Sequence, residues 1–507
     1  MSASESARVR VHGLFIDGAE VPATSDERLD VLNPATGEVI ARISHASGED
    51  VDRAVRSARA AFEAKEWASM SNRTRAKLIN KLADVFEAHL EEMFTLETAN
   101  NGRSVNETRA QISRLPDFFR YNAGLAIARR DAVIPVDGNY LNYTLRTPVG
   151  VVGNSTPFNH PLMIMVKSLA PTLASGCTTV VKPSEYTPLT TLRLAELFVQ
   201  AGLPPGVFNV VTGLGPTTGK ALAEHRGINK WVLTGGTEAG RITGALAGSN
   251  FAHQTLELGG KTPVLVFEDF DVEQAVNYAA FGAFIGAGQT CICGSRQIVH
   301  ESIYDEFVAR LAAKAQTIRI GNPVDPSVQL GPVVSKRQQE RVLRYVDIGL
   351  NQDRARLVAG GKVPADPALA GGFFVEPTVF ADVTPEMRIF QEEVFGPFVS
   401  VSKFATEEEA IAMANDCDFG LAGAIRTSNV TRAHRVAARL RCGIVWVNDH
   451  HRLDPASPWG GVKDSGTGRE SGSESFDQHF ETKSVMVRLD DAPFDWYKDT
   501  ANQPRLN

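Results

Sequence analysis

Two residues in this chain of 507 stand in surroundings that suit covalent catalysis. Cys291 lies in the run Gly288-Gln289-Thr290-Cys291-Ile292-Cys293, among small and flexible neighbours. Glu257 lies in Leu256-Glu257-Leu258-Gly259-Gly260-Lys261, a carboxylate on a second glycine-rich turn. A thiolate can form an adduct at the thioester level of oxidation, and a nearby carboxylate can activate the water that hydrolyses it. With an ordinary pKa of about 8.5 a thiol is mostly protonated at neutral pH, so such a site must lower that value or supply a base. Taken alone, Glu257 is equally a structural carboxylate that caps a turn.

The bounds on the rest of the chain favour small-molecule work. The length suggests about three domains' worth of chain. Apolar residues make up 43% and charged residues 22%, the balance of an ordinary globular protein. At a net charge of -7 no stretch offers the basic stripe that nucleic acid or an anionic membrane would require. Met1 to Ser6 lack the basic start and apolar run of a secretory signal. The longest charge-free stretches, Thr147 to Val166 and Ala275 to Ser295, are broken by Pro, Asn, Gln and Gly, so no membrane span is expected. Cys177, Cys291, Cys293, Cys417 and Cys442 are few and odd in number, which fits free thiols in a reducing compartment, the cytoplasm by default. Cys291 and Cys293 form a C-x-C, but no second Cys/His pair follows at finger spacing, and no metal site is expected.

Periodicity places these residues on elements. Val51, Val55, Ala58 and Phe62 recur at helical spacing from Asp50 to Ala64, with Ser47 and Asp50 as a capping signal. Leu78, Leu82, Phe86, Leu90 and Met93 predict one long helix from Thr74 to Ala99, ending before Gly102. From Val149 the texture changes to short β-branched runs alternating with helical patterns: Val149 to Val152, Thr178 to Val181, Phe208 to Val211 and Lys230 to Leu233. This is the mark of parallel βαβ units with a ligand crevice at the strands' carboxyl ends. A second α/β stretch starts at Pro263 and extends to about Val447. Leu141 to Thr147 and Lys483 to Leu489 alternate like half-exposed strands, and pairing them gives a small projecting sheet for oligomer contacts.

The nucleotide signals are mixed. Thr234-Gly235-Gly236-Thr237 follows a strand and opens a helix, which would aim backbone N–H groups at a pyrophosphate, yet it is not G-x-G-x-x-G and reads as well as plain turn glycines. Lys182-Pro183-Ser184-Glu185 ends a strand with an ammonium and a carboxylate, which could hold an adenosine ribose and repel a 2′-phosphate. Equally, Ser184 caps a helix and Glu185 is solvated.

Read together, six ordered motifs resemble the aldehyde dehydrogenase superfamily from about Leu14 to Val487. They are Pro148-Val149-Gly150-Val151-Val152, Thr156-Pro157-Phe158-Asn159-His160-Pro161-Leu162, the Glu257 and Cys291 runs, Gln391-Glu392-Glu393-Val394-Phe395-Gly396-Pro397, and Pro458-Trp459-Gly460-Gly461-Val462-Lys463 leading to Glu470. The resemblance implies an α/β fold with a Rossmann-type nucleotide-binding domain (residues 11–126 and 148–257), an α/β catalytic domain (258–460) and a small bridging β-sheet (127–147 and 478–495). It implies a homodimer or homotetramer. It also implies Cys291 as nucleophile, Glu257 as general base and Asn159 as the side chain that completes an oxyanion hole with the Cys291 N–H. NAD is the implied cofactor, held by Lys182, Glu185, Gly235, Gly236, Thr237, Leu258, Glu393 and Phe395, and Glu185 favours it over NADP. Gly236 stands where a serine is usual, and Phe158 replaces the commoner tryptophan.

Pro161 belongs in the first turn of a helix, which puts His160, Met163 and Lys167 on one face. The resemblance makes that face, with Ile285, Ile292, Leu453 and Trp459, the wall of the aldehyde tunnel. A wall carrying His160 and Lys167 suggests an aldehyde with an aromatic or medium-length body and an oxygenated or anionic tail that meets Lys167. Otherwise Lys167 pairs with a nearby acid and His160 is a hydrogen-bonded wall residue. The rival functions are a CoA-acylating semialdehyde dehydrogenase, disfavoured by Glu257, a thiolesterase, disfavoured by Lys182 and Glu185, and a non-catalytic protein of the same fold, disfavoured by the intact Cys291, Glu257 and Asn159.

Overall fold

The computed structural model describes residues 9–491 and Tyr497. Residues 1–8, where a leader would start, and 492–495, the end of the expected bridging segment, lie outside the described residues.

Three sheets organise the part that matters for the site. In the first, of eight strands, Gly466–Thr467, His253–Glu257, Lys230–Thr234, Val151–Ser155, Thr178–Lys182, Phe208–Val210, Leu14–Ile16 and Ala19–Val21 lie side by side in that order. The five from His253–Glu257 to Phe208–Val210 are parallel. Lys230–Thr234 and Thr178–Lys182 are buried along their whole length, as expected of central parallel strands covered on both faces. The second sheet, of seven strands, has Pro263–Val266 between Arg296–His300 and Ala422–Arg426, all parallel.

The third is the predicted projecting sheet. Tyr140–Pro148 pairs antiparallel with Phe480–Arg488 along its length, and Val133–Ile134 adds an edge. Val133, Ile134, Leu141, Leu145, Met486 and Val487 are exposed on it.

Local chemistry explains most boundaries. Ser47 caps the Gly48–Glu63 helix in a reciprocal capping box with Asp50. The long helix expected from Thr74 to Ala99 is instead two, Asn72–Ala88 and Leu90–Asn101. His89 leaves helical geometry between them (φ -114°, ψ 16°), its Nδ1 bonded to the Val85 carbonyl at 2.8 Å. Gly102 ends the second in the left-handed region (φ 88°). The first sheet also recruits Gly466–Thr467, well beyond the stretch that the sequence assigned to it. Among the described residues no helix is long and apolar enough to cross a membrane.

Candidate active site

The chain crosses from the first sheet to the second immediately after Glu257, the last residue of His253–Glu257, and enters the second at Pro263. The crossing runs under the nucleophile loop. A Cβ on Gly260 would sit 2.2 Å from the Cys291 carbonyl oxygen, so that position needs glycine for close approach, and one on Gly259 would sit 2.7 Å from Glu393 Oε2. The lysine of the same run anchors it: Lys261 Nζ donates to the Glu392 carbonyl at 2.6 Å, and Arg296 Nε donates to the Lys261 carbonyl at 2.8 Å.

Cys291 is carried between the Val272–Phe284 helix and the Arg296–His300 strand. Three successive residues, Gly286, Ala287 and Gly288, turn the chain through positive φ, and Gly288 packs on the Gly396 carbonyl where a Cβ would lie 1.9 Å away. Gln289 ties the turn down by accepting from Val334 N at 3.0 Å. Neutral His450, its pKa well below the ordinary value because it is buried, donates from Nε2 to the Ile292 carbonyl at 3.0 Å. Burial pushes the Cys291 thiol up to about 12; Lys167 works against this, while Glu393 and Glu257 add to it. At rest Cys291 is therefore a thiol, and the nucleophile role expected of it would need a base. Cys293 is also pushed up to about 12 by burial, and its Sγ points at the Ala283 carbonyl at 3.4 Å, so it is inert at rest.

Asn159 sits on the turn between Val151–Ser155 and the Pro161–Ser175 helix, which has Pro161 at its start as predicted. The turn is braced by residues to which the sequence drew no notice. Asn101 Nδ2 donates to the Phe158 carbonyl at 2.5 Å and the Asn159 carbonyl at 3.3 Å, and Glu97 Oε2 accepts from Leu162 N at 3.1 Å.

Two cavities meet at the thiol. The larger, about 720 Å³, is lined by Asn159, Gly235, Gly236, Thr237, Leu258, Cys291, Glu393 and Phe395 among others. The smaller, about 500 Å³, is lined by Glu257, Cys291 and all seven residues assigned to the tunnel, His160, Met163, Lys167, Ile285, Ile292, Leu453 and Trp459. Cys291 and Thr234 border both.

In the larger cavity the Thr237–Ser249 helix presents an N-terminus with no capping side chain, a ready anion site, and Gly235 and Gly236 leave open room above it. Glu393 Oε1 accepts from Gly260 N at 2.9 Å, and burial raises its carboxyl to about 7. Phe395, held at φ 62°, meets Phe158 edge to face at 5.7 Å. The Lys336–Asp347 helix fixes this segment: Gln338 Nε2 donates to the Phe395 carbonyl at 2.6 Å and Arg341 Nη2 to the Glu393 carbonyl at 2.5 Å. Lys182 and Glu185 are paired at 3.5 Å at the carboxyl end of Thr178–Lys182, but they do not line this cavity. Lys182 stands beside the Gly215–Gly219 turn, its Cδ 3.5 Å from the Cβ position of Gly219.

In the smaller cavity the sequence left two options for Lys167, and the structure takes the second. Its Nζ lies 2.7 Å from Glu470 Oε2, both side chains almost fully buried, and 4.5 Å from the centre of the Trp459 ring. That ammonium is already matched by an acid. Glu470 was read only as the end of a motif; it is the acid that completes this pair. Burial first, then the Glu470 charge, raises the Glu257 carboxyl well above its ordinary value, while Lys167 and Arg469 oppose the shift. Both Glu257 carboxylate oxygens are buried without a hydrogen-bond partner, which suits a group that must exchange protons. His160 Nδ1 lies 3.2 Å from Gln111 Oε1, and burial keeps the imidazole neutral, the hydrogen-bonded wall residue of the second option.

Known proteins resemble this chain over nearly its whole length. Residues 21–485 match the family model described as the aldehyde dehydrogenase family. The betaine aldehyde dehydrogenase of Bacillus subtilis is 41% identical, over 96% of this chain and 99% of that protein. The mitochondrial aldehyde dehydrogenase of Homo sapiens is 41% identical, over 96% and 94%. Among solved structures, PnpE from Pseudomonas sp. WBC-3 superposes with a TM-score of 0.93 at 44% identity, covering 96% of this chain and all of that one. The NAD+ complex of the Bacillus cereus aldehyde dehydrogenase does so at 0.92 and 42%, covering 94% and 97%.

Proposed function

Since the chain belongs to the aldehyde dehydrogenase family, we propose that it oxidises an aldehyde to the free carboxylic acid with NAD, through a thiohemiacetal and then a thioester on Cys291. One observation carries this reading: the Cys291 thiol borders two cavities, with Asn159 in one and Glu257 in the other.

The chemistry follows from the groups present. The Cys291 sulfur bonds to the aldehyde carbon as its proton passes to the Glu257 carboxylate, a base strengthened by burial and by the Glu470 charge. The oxyanion that develops needs donors placed in advance, supplied by the Asn159 amide and the Cys291 main-chain N–H. NAD, when bound, accepts the hydride that leaves this carbon. Its fit rests on the uncapped helix start at Gly236, the open glycines beside it, and Glu393 and Phe395 on the opposite wall. Glu257 then takes a proton from the water that attacks the thioester, and the acid departs with the thiol restored. Lys167 and Glu470, buried beside Glu257, offer a route for that proton away from the site.

NAD is preferred to NADP in this reading, in which the adenosine ribose extends beyond the larger cavity to the Lys182–Glu185 pair and a 2′-phosphate there is repelled by the Glu185 carboxylate. The NAD complexes of PnpE and of the Bacillus cereus enzyme support NAD as a dinucleotide that this fold binds. A reducing compartment, the cytoplasm, suits five free cysteines with one of them the working thiol. The apolar side chains exposed on the third sheet support assembly as a homodimer or homotetramer, which sedimentation at several concentrations would read directly.

The test is NADH formation from aliphatic, aromatic and carboxylated aldehydes without coenzyme A, beside the Cys291→Ala protein. Oxidation that needs coenzyme A, that continues at its former rate without the thiol, or that runs as well on NADP would refute the corresponding part.

A further inference from the structure

The smaller cavity has a buried end and an exposed end. Cys291, Glu257, Lys167 and Glu470 line the first; Arg114, Asp117, Arg452 and Asp454 line the second and are exposed. Most charges along it are already matched. Lys167 has Glu470. Arg103 lies between Glu97 at 3.4 Å and Glu107 at 3.8 Å. Asp117 pairs with Arg120 at 3.5 Å, and Asp454 Oδ1 accepts from Ala456 N at 2.9 Å. Arg114 and Arg452 take part in no ion pair among the described residues.

We propose that Arg114 and Arg452 bind a carboxylate at the far end of the aldehyde, so that the substrate class is a carboxylated semialdehyde. The inference rests on the reading of Cys291 as nucleophile toward an aldehyde and adds what selects the aldehyde. Two arginines, one from a turn after the Val105–Ile112 helix and one from the loop beyond Ile444–Val447, line the same cavity and are exposed. Both backbones are fixed: Arg114 N donates to the Gln111 carbonyl at 3.2 Å, and the Arg452 carbonyl accepts from Trp446 Nε1 at 3.1 Å. Planar guanidinium forks are the side chains best matched to a carboxylate.

The stretch between rim and thiol fits the same molecule. It offers the apolar Leu115, Phe118, Phe281 and Leu453 together with the polar His160 and His451. Burial holds His451 down to about 4 and His160 well below its ordinary value, so both imidazoles are neutral at pH 7. A flat or oxygenated body passes such a wall, whereas a charge halfway along would be desolvated with no partner. The anionic group therefore belongs at the rim, where water and two cations receive it. The expectation of an anionic tail is kept, and its partner moves from Lys167 to the mouth.

The experiment compares kcat/KM for para-carboxybenzaldehyde and its methyl ester in the wild type, the Arg114→Met/Arg452→Met double variant and the Arg114→Lys/Arg452→Lys double variant. The wild type should prefer the acid by about tenfold or more, through KM. The methionine variant should lose this preference, the lysine variant should keep part of it, and added salt should weaken it in the wild type. The ratio is the readout because a folding defect lowers both aldehydes alike. Equal efficiencies in the wild type, or an undiminished ratio in the methionine variant, overturn the inference and leave aldehyde oxidation standing. No NADH from either aldehyde or from propionaldehyde in the wild type removes the parent reading, and the inference falls with it.

Discussion

The two cavities that share Cys291 are built by different means. The larger is shaped by the main chain: the Gly235-Gly236 turn, an uncapped helix start, and a Glu393-Val394-Phe395 segment whose carbonyls are gripped by Gln338 and Arg341. The smaller is shaped by long side chains that neutralise one another across the fold, Lys167 with Glu470 and Arg103 with Glu97 and Glu107. A wall of backbone accepts one ligand shape and tolerates little change. A wall of paired side chains can be retuned one residue at a time, which is how one chemistry is offered to many aldehydes.

The sharpest way to break this contrast is at Asn159, the donor on the larger cavity's wall. Asn159→Ala should lower kcat by about a hundredfold to a thousandfold whichever aldehyde is used, because the lost donor serves the oxyanion and not the tail. Steady-state rates on two dissimilar aldehydes check it, and a loss confined to one of them would move Asn159 from chemistry to recognition. On the other wall, Glu257→Gln should slow both the first burst of NADH and steady turnover by about a hundredfold, since the thiol loses its base before hydride transfer and the water loses it afterwards. Stopped-flow absorbance reads the burst; one that survives at its former rate would mean that Glu257 serves only the hydrolysis.

The smallest effect concerns the pair behind Glu257. The working form of this base is deprotonated, so kcat rises as pH rises through its pKa. Burial and then the Glu470 charge hold that pKa up. Glu470→Gln removes the second influence, so the rising limb of the kcat–pH profile should move to lower pH. A limb that stays where it was would disconnect Glu470 from the base.

What the sequence disclosed follows the same division. That Cys291, Glu257 and Asn159 lie around two adjoining cavities was legible because each stands in a short run whose glycines or proline answer a local demand, such as the approach of Gly260 to the Cys291 carbonyl. The partner of Lys167 was not, because Glu470 reaches it only after the chain has returned through Gly466–Thr467, a strand too short to leave a pattern. The break at His89 escaped notice for a related reason. One non-helical residue leaves Leu82, Phe86 and Met93 buried in almost unbroken phase, and periodicity alone reads straight across it. Lys182 and Glu185 were placed correctly at a strand end, yet no spacing rule gives the distance from that end to a neighbouring cavity.

That one sulfur borders two chambers also has a kinetic consequence. The molecules consumed and the molecules made do not have to queue at a common doorway, so an acid can leave while a dinucleotide stays seated, and the rhythm of turnover belongs to whichever guest lets go more slowly.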